Sequence, residues 1–466
     1  MPPTSRLHAP HLREAPAVAD LFVGFFRRDL LAFYPQSILE LESSDDAPFP
    51  HDGPAFDLVE RDGRPTGVTL FGLSYRLEPR EGTEFSVRDS RMIRAIGSVL
   101  NLRYQNLFQI AHSKRMELFR GGSEDHYVAA YVDPDAYLPN AGHPSRIAST
   151  ILTLRTAALS TYENRRVSTG ALLLGADNDP CHRRRPVPSD ALPYGVELTS
   201  LKSIHKLCDG KRTLFLVDRD GRLAEIVDIR RWAAEVPEAD EPEVPCARSY
   251  AAHARATRTS GHVCVVLSPN QEIKLFAGGM EAFSFAHGRW RMLDPATKFA
   301  SWQTAVGRPE LARALFQAAL NLAEGRQGGL FVVVDRALEA VGRLIAPHDL
   351  VATESIGPPQ EITPGDPLAK RALHYLARDR AVTELDPPVL EALAGIDGAF
   401  VTDRSGRLLA FGAILRHDAA ALPTYIPAEG ARTTAALVAS RFGPVLKVSE
   451  DGVVSCFLRG VRAWDL

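Results

Sequence analysis

Three short stretches near the C-terminus carry residue types that can work on phosphates. Gly395-Ile396-Asp397-Gly398-Ala399-Phe400-Val401 brings a carboxylate to a strand entrance, and Gly430-Ala431-Arg432-Thr433-Thr434 sets a glycine-led arginine turn at the start of a helix. Val448-Ser449-Glu450-Asp451-Gly452 ends a strand in Ser-Glu. Together they supply two carboxylates, Asp397 and Glu450, and an anion cradle, because the first amides of a helix lack intrahelical acceptors and the positive end of its dipole faces the same way. That combination suits nucleotide chemistry.

Each stretch alone has a plainer reading. Asp397 fits a turn aspartate capping the backbone between Gly395 and a strand, Glu450 fits a hairpin turn with Asp451-Gly452, and Gly430 fits an ordinary helix start. What raises them above these readings is their order along an α/β pattern. Pro309 occupies a first helical position, and Leu311, Leu315, Ala319 and Leu322 line one face, which predicts an amphipathic helix over 309–325 ended by Gly328-Gly329. Leu330-Phe331-Val332-Val333-Val334 reads as a strand buried on both faces at the sheet centre. Asp366-Pro367 and Asp386-Pro387 each pair a cap with a first-turn proline, predicting helices over 368–380 and 388–394. Strands follow at 398–402 and 407–414, a helix over about 431–441, and strands at 444–449 and 453–458.

With these elements in place, residues from about 300 to 466 resemble the diadenylate cyclase (DAC) domain family. Arg326 to Asp335 matches its first helix-to-strand junction, Asp397-Gly398-Ala399 its Asp-Gly-Ala signature, Gly430 to Ala436 its Gly-Thr-Arg-His-Arg-Ala-Ala loop, and Val448-Ser449-Glu450 its Val-Ser-Glu. The resemblance covers roughly a third of the chain. It implies a mixed β-sheet flanked by helices that joins two ATP molecules into cyclic di-AMP and releases two pyrophosphates. It also implies a face-to-face dimer or larger assembly, since each domain holds one ATP.

Under that resemblance Asp397 holds Mg²⁺ or Mn²⁺ and activates the ribose hydroxyl, and Glu450 is the second catalytic and metal-binding carboxylate. Gly398 and Ala399 let the nucleotide approach the backbone, while Gly430, Arg432, Thr433, Thr434 and Ser449 contact it. The loop departs from the family, with Ala431 for threonine and Thr433-Thr434 for His-Arg, so it carries fewer cations. The competing reading is therefore an inactive or altered-specificity nucleotide-binding sensor of the same fold.

The remaining chain bounds the partners. Its 466 residues exceed one ordinary core. We expect a mixed α+β sensor region over 1–180, a second part with short strands over 181–300, and the cyclase-like unit over 301–466. Hydrophobic residues at 45% and charged residues at 24% are ordinary for a soluble globular protein, and a net charge of -3 offers no broad basic field for a nucleic acid polymer. The five cysteines, Cys181, Cys208, Cys246, Cys264 and Cys456, form no Cys-x-x-Cys pair and read as reduced cytoplasmic thiols. Leu21 to Phe26 is apolar, but Arg27, Arg28 and Asp29 interrupt it, so neither a signal peptide nor a membrane helix is expected.

Within the sensor region the first forty residues read as helix and loop, broken by turn formers over 43–54. Phe56 to Leu77 alternates in strand fashion, and 89–110 and 145–162 carry helical spacing. Cys181 to Pro188 reads as a basic exposed loop, and Ala233 to Ala247, acidic with three prolines, as a linker or exposed loop. Val263–Leu267, 273–276 and 288–292 read as strands. Thr213 to Ile229, turning at Asp218-Arg219-Asp220-Gly221, echoes Phe400 to Ile414, turning at Asp403-Arg404-Ser405-Gly406; a single hairpin reads as local convergence.

Overall fold

The computed structural model describes residues 15–44, 56–80, 83–108, 115–141, 143–175, 190–200, 204–238, 243–346, 349–351, 374, 377, 380–416 and 430–466, and the fold is mixed α/β. The breaks over 45–54, the basic loop at Cys181 to Pro188 and all but three residues of the helix expected over 368–380 lie outside these residues. The described chain forms two compact units. One takes the residues up to Glu235 with Ala256–Gly278 and Ala282–Met292, and the other takes Val236–Arg255, Gly279–Glu281 and Leu293–Leu466.

The first unit opens with helix Ala15–Phe33 and a four-stranded antiparallel sheet in the order Ile38–Ser44, Leu73–Glu78, Arg64–Leu70, Phe56–Arg61. Ile38–Ser44 is a strand where the sequence reading had loop. Its Ile38-Leu39-Glu40-Leu41-Glu42 stretch alternates: Leu39 is buried, and Glu40 on the opposite face accepts from Arg76 at 2.8 Å. Helix Val87–Phe108 packs on this sheet and buries Met92, Ile93, Ile96 and Val99.

A larger sheet follows, in the order Leu223–Asp228, Thr213–Val217, Thr169–Leu173, Val263–Leu267, Ile273–Ala277, Met280–Ala286, Arg289–Met292. The division expected at residue 180 falls inside it, because strands from both sides of that position share the sheet. Thr169–Leu173 runs parallel to Thr213–Val217 and antiparallel to Val263–Leu267.

The second unit is built on six strands, ordered Leu408–Ala413, Ala399–Asp403, Gly329–Val334, Val445–Val448, Val454–Leu458, Val461–Asp465. Gly329–Val334 is buried along its whole length, as its β-branched run requires. It runs parallel to Ala399–Asp403 and antiparallel to Val445–Val448. Phe331, Val333, Leu446 and Cys456 pack with Leu311, Leu315 and Leu322 of helix Pro309–Glu324. Leu330, Val332, Val334 and Phe457 pack with Ala436 and Ala439 of helix Ala431–Ala439. The sheet is thus covered on both faces.

Two sequence readings are corrected here. The hairpin echo is not local: both sheets share one order, in which a strand pairs parallel with the next strand on one side, that neighbour with its hairpin partner, and the first strand with a later antiparallel run on the other side. Similar turns recur because the surrounding topology recurs. The acidic segment read as a linker or exposed loop is packed at both of its described ends, 233–238 and 243–247. Trp232 and Ala233 are buried in helix Ile229–Glu235, and Arg313, Gln317 and Asn321, one turn apart, bond the Glu243 carbonyl, the Cys246 carbonyl and the Arg248 amide. Side chains thereby satisfy a backbone that no ladder pairs.

A buried polar network ties the first unit together. Asp125, 1% exposed, accepts from the Gly122 amide at 3.1 Å, Trp290 at 2.8 Å and Arg155 at 2.6 Å. Next to it His126 lies 2.9 Å from both the Arg120 carbonyl and the Tyr137 hydroxyl. A carbonyl only accepts, so Nε2 carries the proton and Nδ1 accepts from Tyr137. Burial holds this imidazole neutral, lowering its pKa from 6.5 to about 4. Between those values the unfolded chain binds a proton that the folded chain refuses, so stability falls as pH drops from 6.5 toward 4, by about 3 kcal/mol in all. Urea unfolding across this pH range should show that loss, and His126→Gln should flatten it.

Candidate functional site

Asp397 sits on the turn between helix Pro387–Ala394, closed by Gly395, and strand Ala399–Asp403. The next residue fixes that turn. Gly398 has φ +115°, and a Cβ there would lie 2.4 Å from the Gly412 carbonyl carbon. The approach of the neighbouring strand by itself therefore requires glycine here. Ala399 is 1% exposed in the core, and its methyl packs with the helix Ala431–Ala439 layer. Asp397 itself projects outward, its side chain 93% exposed.

Helix Ala431–Ala439 begins after Gly430, and its second residue, Arg432, reaches both acidic groups. Arg432 Nη1 is 3.2 Å from Glu450 Oε1, and Nη2 is 3.7 Å from Asp397 Oδ1. The guanidinium rests on Gly328, where an added Cβ would fall 2.0 Å from Nη1. Three distant segments therefore meet at one cation. Glu450 is 74% exposed and Arg432 38%, so water weakens these pairs and leaves the groups exchangeable.

Ser449 turns inward on its own hairpin. Its hydroxyl accepts from the Val453 amide at 3.2 Å and bonds Asp451, whose carboxyl it holds below the ordinary range. Thr433 is buried, and its hydroxyl lies 3.0 Å from Lys447 Nζ. Lys447 is a site residue that the sequence reading passed over. The signal was its parity: two residues before Ser449 on a strand, it points to the same face. Cross-strand register then sets Ser455 opposite Lys447 and Asp465 opposite Ser455.

These groups line one open cleft of about 820 Å³, walled by Asp397, Gly430, Arg432, Lys447, Glu450 and Arg462 among others. Thr433 and Ser449 also line it; Gly398, Ala399 and Thr434 do not. Asp397 and Glu450 present hard oxygen donors, but among the described residues no three His, Cys, Asp or Glu side chains gather into a cage. Such a donor set fits a divalent ion that takes its remaining ligands from phosphate and water. Among the described residues, no helix is long and apolar enough to cross a membrane.

No family model matches the chain, and no curated protein does. Among solved structures, a hypothetical membrane spanning protein from Bacillus cereus is 21% identical with a TM-score of 0.25, covering 35% of this chain and 69% of that one. A double mutant of DacA from Staphylococcus aureus is 16% identical with a TM-score of 0.23, covering 34% and 89%. Likenesses this slight carry no argument, and the cleft stands on its own geometry.

The seat of Arg432 yields a test that changes no charge. Gly328→Ala should fold normally, with stability within about 1 kcal/mol of the parent, because the displaced group is the mobile end of a side chain. Any anion that Arg432 holds in the cleft should nonetheless bind about tenfold more weakly in equilibrium titration, since the guanidinium loses its place.

Proposed function

We propose that the second unit is a diadenylate cyclase domain, condensing two ATP into cyclic di-AMP and two pyrophosphates under the control of the preceding region. One observation supports this most: Asp397, Arg432 and Glu450 arrive from separate segments at one cleft beside a helix N-terminus. Each ribose 3′-oxygen attacks the α-phosphorus of the other ATP. A new P–O bond forms there as the bond to the pyrophosphate oxygen breaks, and the hydroxyl proton leaves to a base. Asp397 serves as that base and, with Glu450, as the carboxylate pair for Mg²⁺ or Mn²⁺. Bound there, the ion supplies positive charge for the phosphates and acidifies the hydroxyl.

The triphosphate competes with the carboxylates for Arg432, drawing the guanidinium onto phosphate oxygens while the amides of Ala431 and Arg432 face the same charge. Lys447 and Arg462 line the cleft as well, returning positive charge that the Thr433-Thr434 loop has lost. A ring needs two such sites face to face, so self-association is part of the reaction. A region that holds two units apart would stop synthesis without touching the cleft.

The altered loop supports a second reading, a nucleotide-binding sensor without turnover. Incubation of the full chain with ATP and Mg²⁺ or Mn²⁺, followed by mass spectrometry, separates the two. The cyclase reading expects cyclic di-AMP and pyrophosphate, with Asp397→Asn lowering the rate by about 100-fold or more. ATP binding without any cyclic product, whichever metal is supplied, would favour the sensor.

A further inference from the structure

We infer that the chain contains two copies of one fold, that the first copy is catalytically silent, and that the ring is therefore closed between two chains rather than between the two units of one chain. This rests on the cyclase reading of the second unit. The copies run over 146–292 and 309–465. In each, a helix, Arg146–Ala158 or Pro309–Glu324, leads into a buried strand that pairs parallel with the next major strand and antiparallel with the fourth. Six strands follow the same spatial order, and the first copy adds Arg289–Met292 at its edge.

The turns agree in detail. Asp218-Arg219-Asp220-Gly221-Arg222-Leu223 answers Asp403-Arg404-Ser405-Gly406-Arg407-Leu408. In both, the aspartate accepts the amide four residues on, at 2.7 Å from Arg222 and 3.0 Å from Arg407, and the glycine has positive φ, +77° and +85°. The later hairpins match too. The Ser268 amide donates to the Glu272 carbonyl at 2.8 Å and its hydroxyl accepts from the Glu272 amide at 3.2 Å; Ser449 makes the same pair with Val453 at 3.0 and 3.2 Å.

Strand register then shows what the first copy holds at each site position. Ala171 pairs with Phe215 and Val265, as Phe331 pairs with Phe400 and Leu446. Counting from Phe215, Arg212 stands where Asp397 does. Asp209, nearby in sequence, has its carboxylate committed to the amides of Lys211, Arg212 and Thr213 at 2.8, 2.7 and 3.1 Å. Counting from Val265, fully buried Val266 stands for Lys447 and Pro269 for Glu450. The segment before the fourth strand is helical in both copies, Arg248–Tyr250 running into Ala251–Ala256 here and Ala431–Ala439 there, and the same count puts Ala251 where Arg432 stands. A cation and a proline in place of two carboxylates can neither hold a divalent ion nor take a proton.

The count of nucleotide sites decides the matter. Calorimetric titration of the full chain with 3′-deoxy-ATP and Mg²⁺, which cannot cyclise, should give one nucleotide per chain. Binding should weaken at least tenfold in an Arg432→Ala/Lys447→Met double variant and stay unchanged in Arg212→Ala, with thermal melting confirming that each variant folds. Product formed from ATP per chain should rise with chain concentration. Two nucleotides per chain, or turnover by a proven monomer, would overturn the silent copy while leaving the cyclase reading intact. No binding by the parent chain would overturn the cyclase reading, and the single site with it.

Discussion

The second unit depends on the pairing of one strand, Gly329–Val334, with its two neighbours. Parallel register with Ala399–Asp403 sets Phe331 beside Phe400 and so brings Asp397 to the strand's starting end. Antiparallel register with Val445–Val448 sets Gly329 beside Val448 and brings Glu450 to that same end. A slip of one residue on either side would send the core side chains to the wrong face, so burial of Phe331, Val333, Leu446 and Val448 fixes the site as firmly as it fixes the core. Chemistry and packing here answer to one constraint.

On that frame the charges are loosely held. Arg432 lies between two exposed carboxylates on a glycine seat, and Lys447 leans on a neutral hydroxyl. Water screens such pairs, which keeps a guanidinium free to trade a carboxylate for a phosphate. The rigid sheet and the exchangeable charges have different work: one sets positions, and the other responds to a ligand.

Much of this was legible in the sequence. The Pro309–Glu324 and Pro387–Ala394 helices announce themselves through first-turn prolines, and Gly329–Val334 through its β-branched run. Convergence of Asp397, Arg432 and Glu450 follows from order and spacing. The strand constraint on Gly398 was not legible, because a glycine needed for strand approach and one needed for ligand approach look alike in one dimension. Lys447 was missed because its partner Thr433 lies fourteen residues away on a helix, and only its parity with Ser449 pointed to the site. The shared topology of the two sheets was hidden because strand order is a property of pairing between distant segments, and only one turn sequence kept its likeness.

Two sheets of one strand order, one with a carboxylate pair at its strand ends and the other with Arg212 and Pro269 in their place, lead us to propose that nucleotide binding falls to the second unit. Photolabelling of the full chain with 8-azido-ATP, followed by peptide mapping, tests this most directly. The account predicts saturable label, displaced by ATP, on peptides spanning 395–416 or 430–466. Saturable label confined to peptides of residues 146–235, or none that ATP displaces, would contradict it.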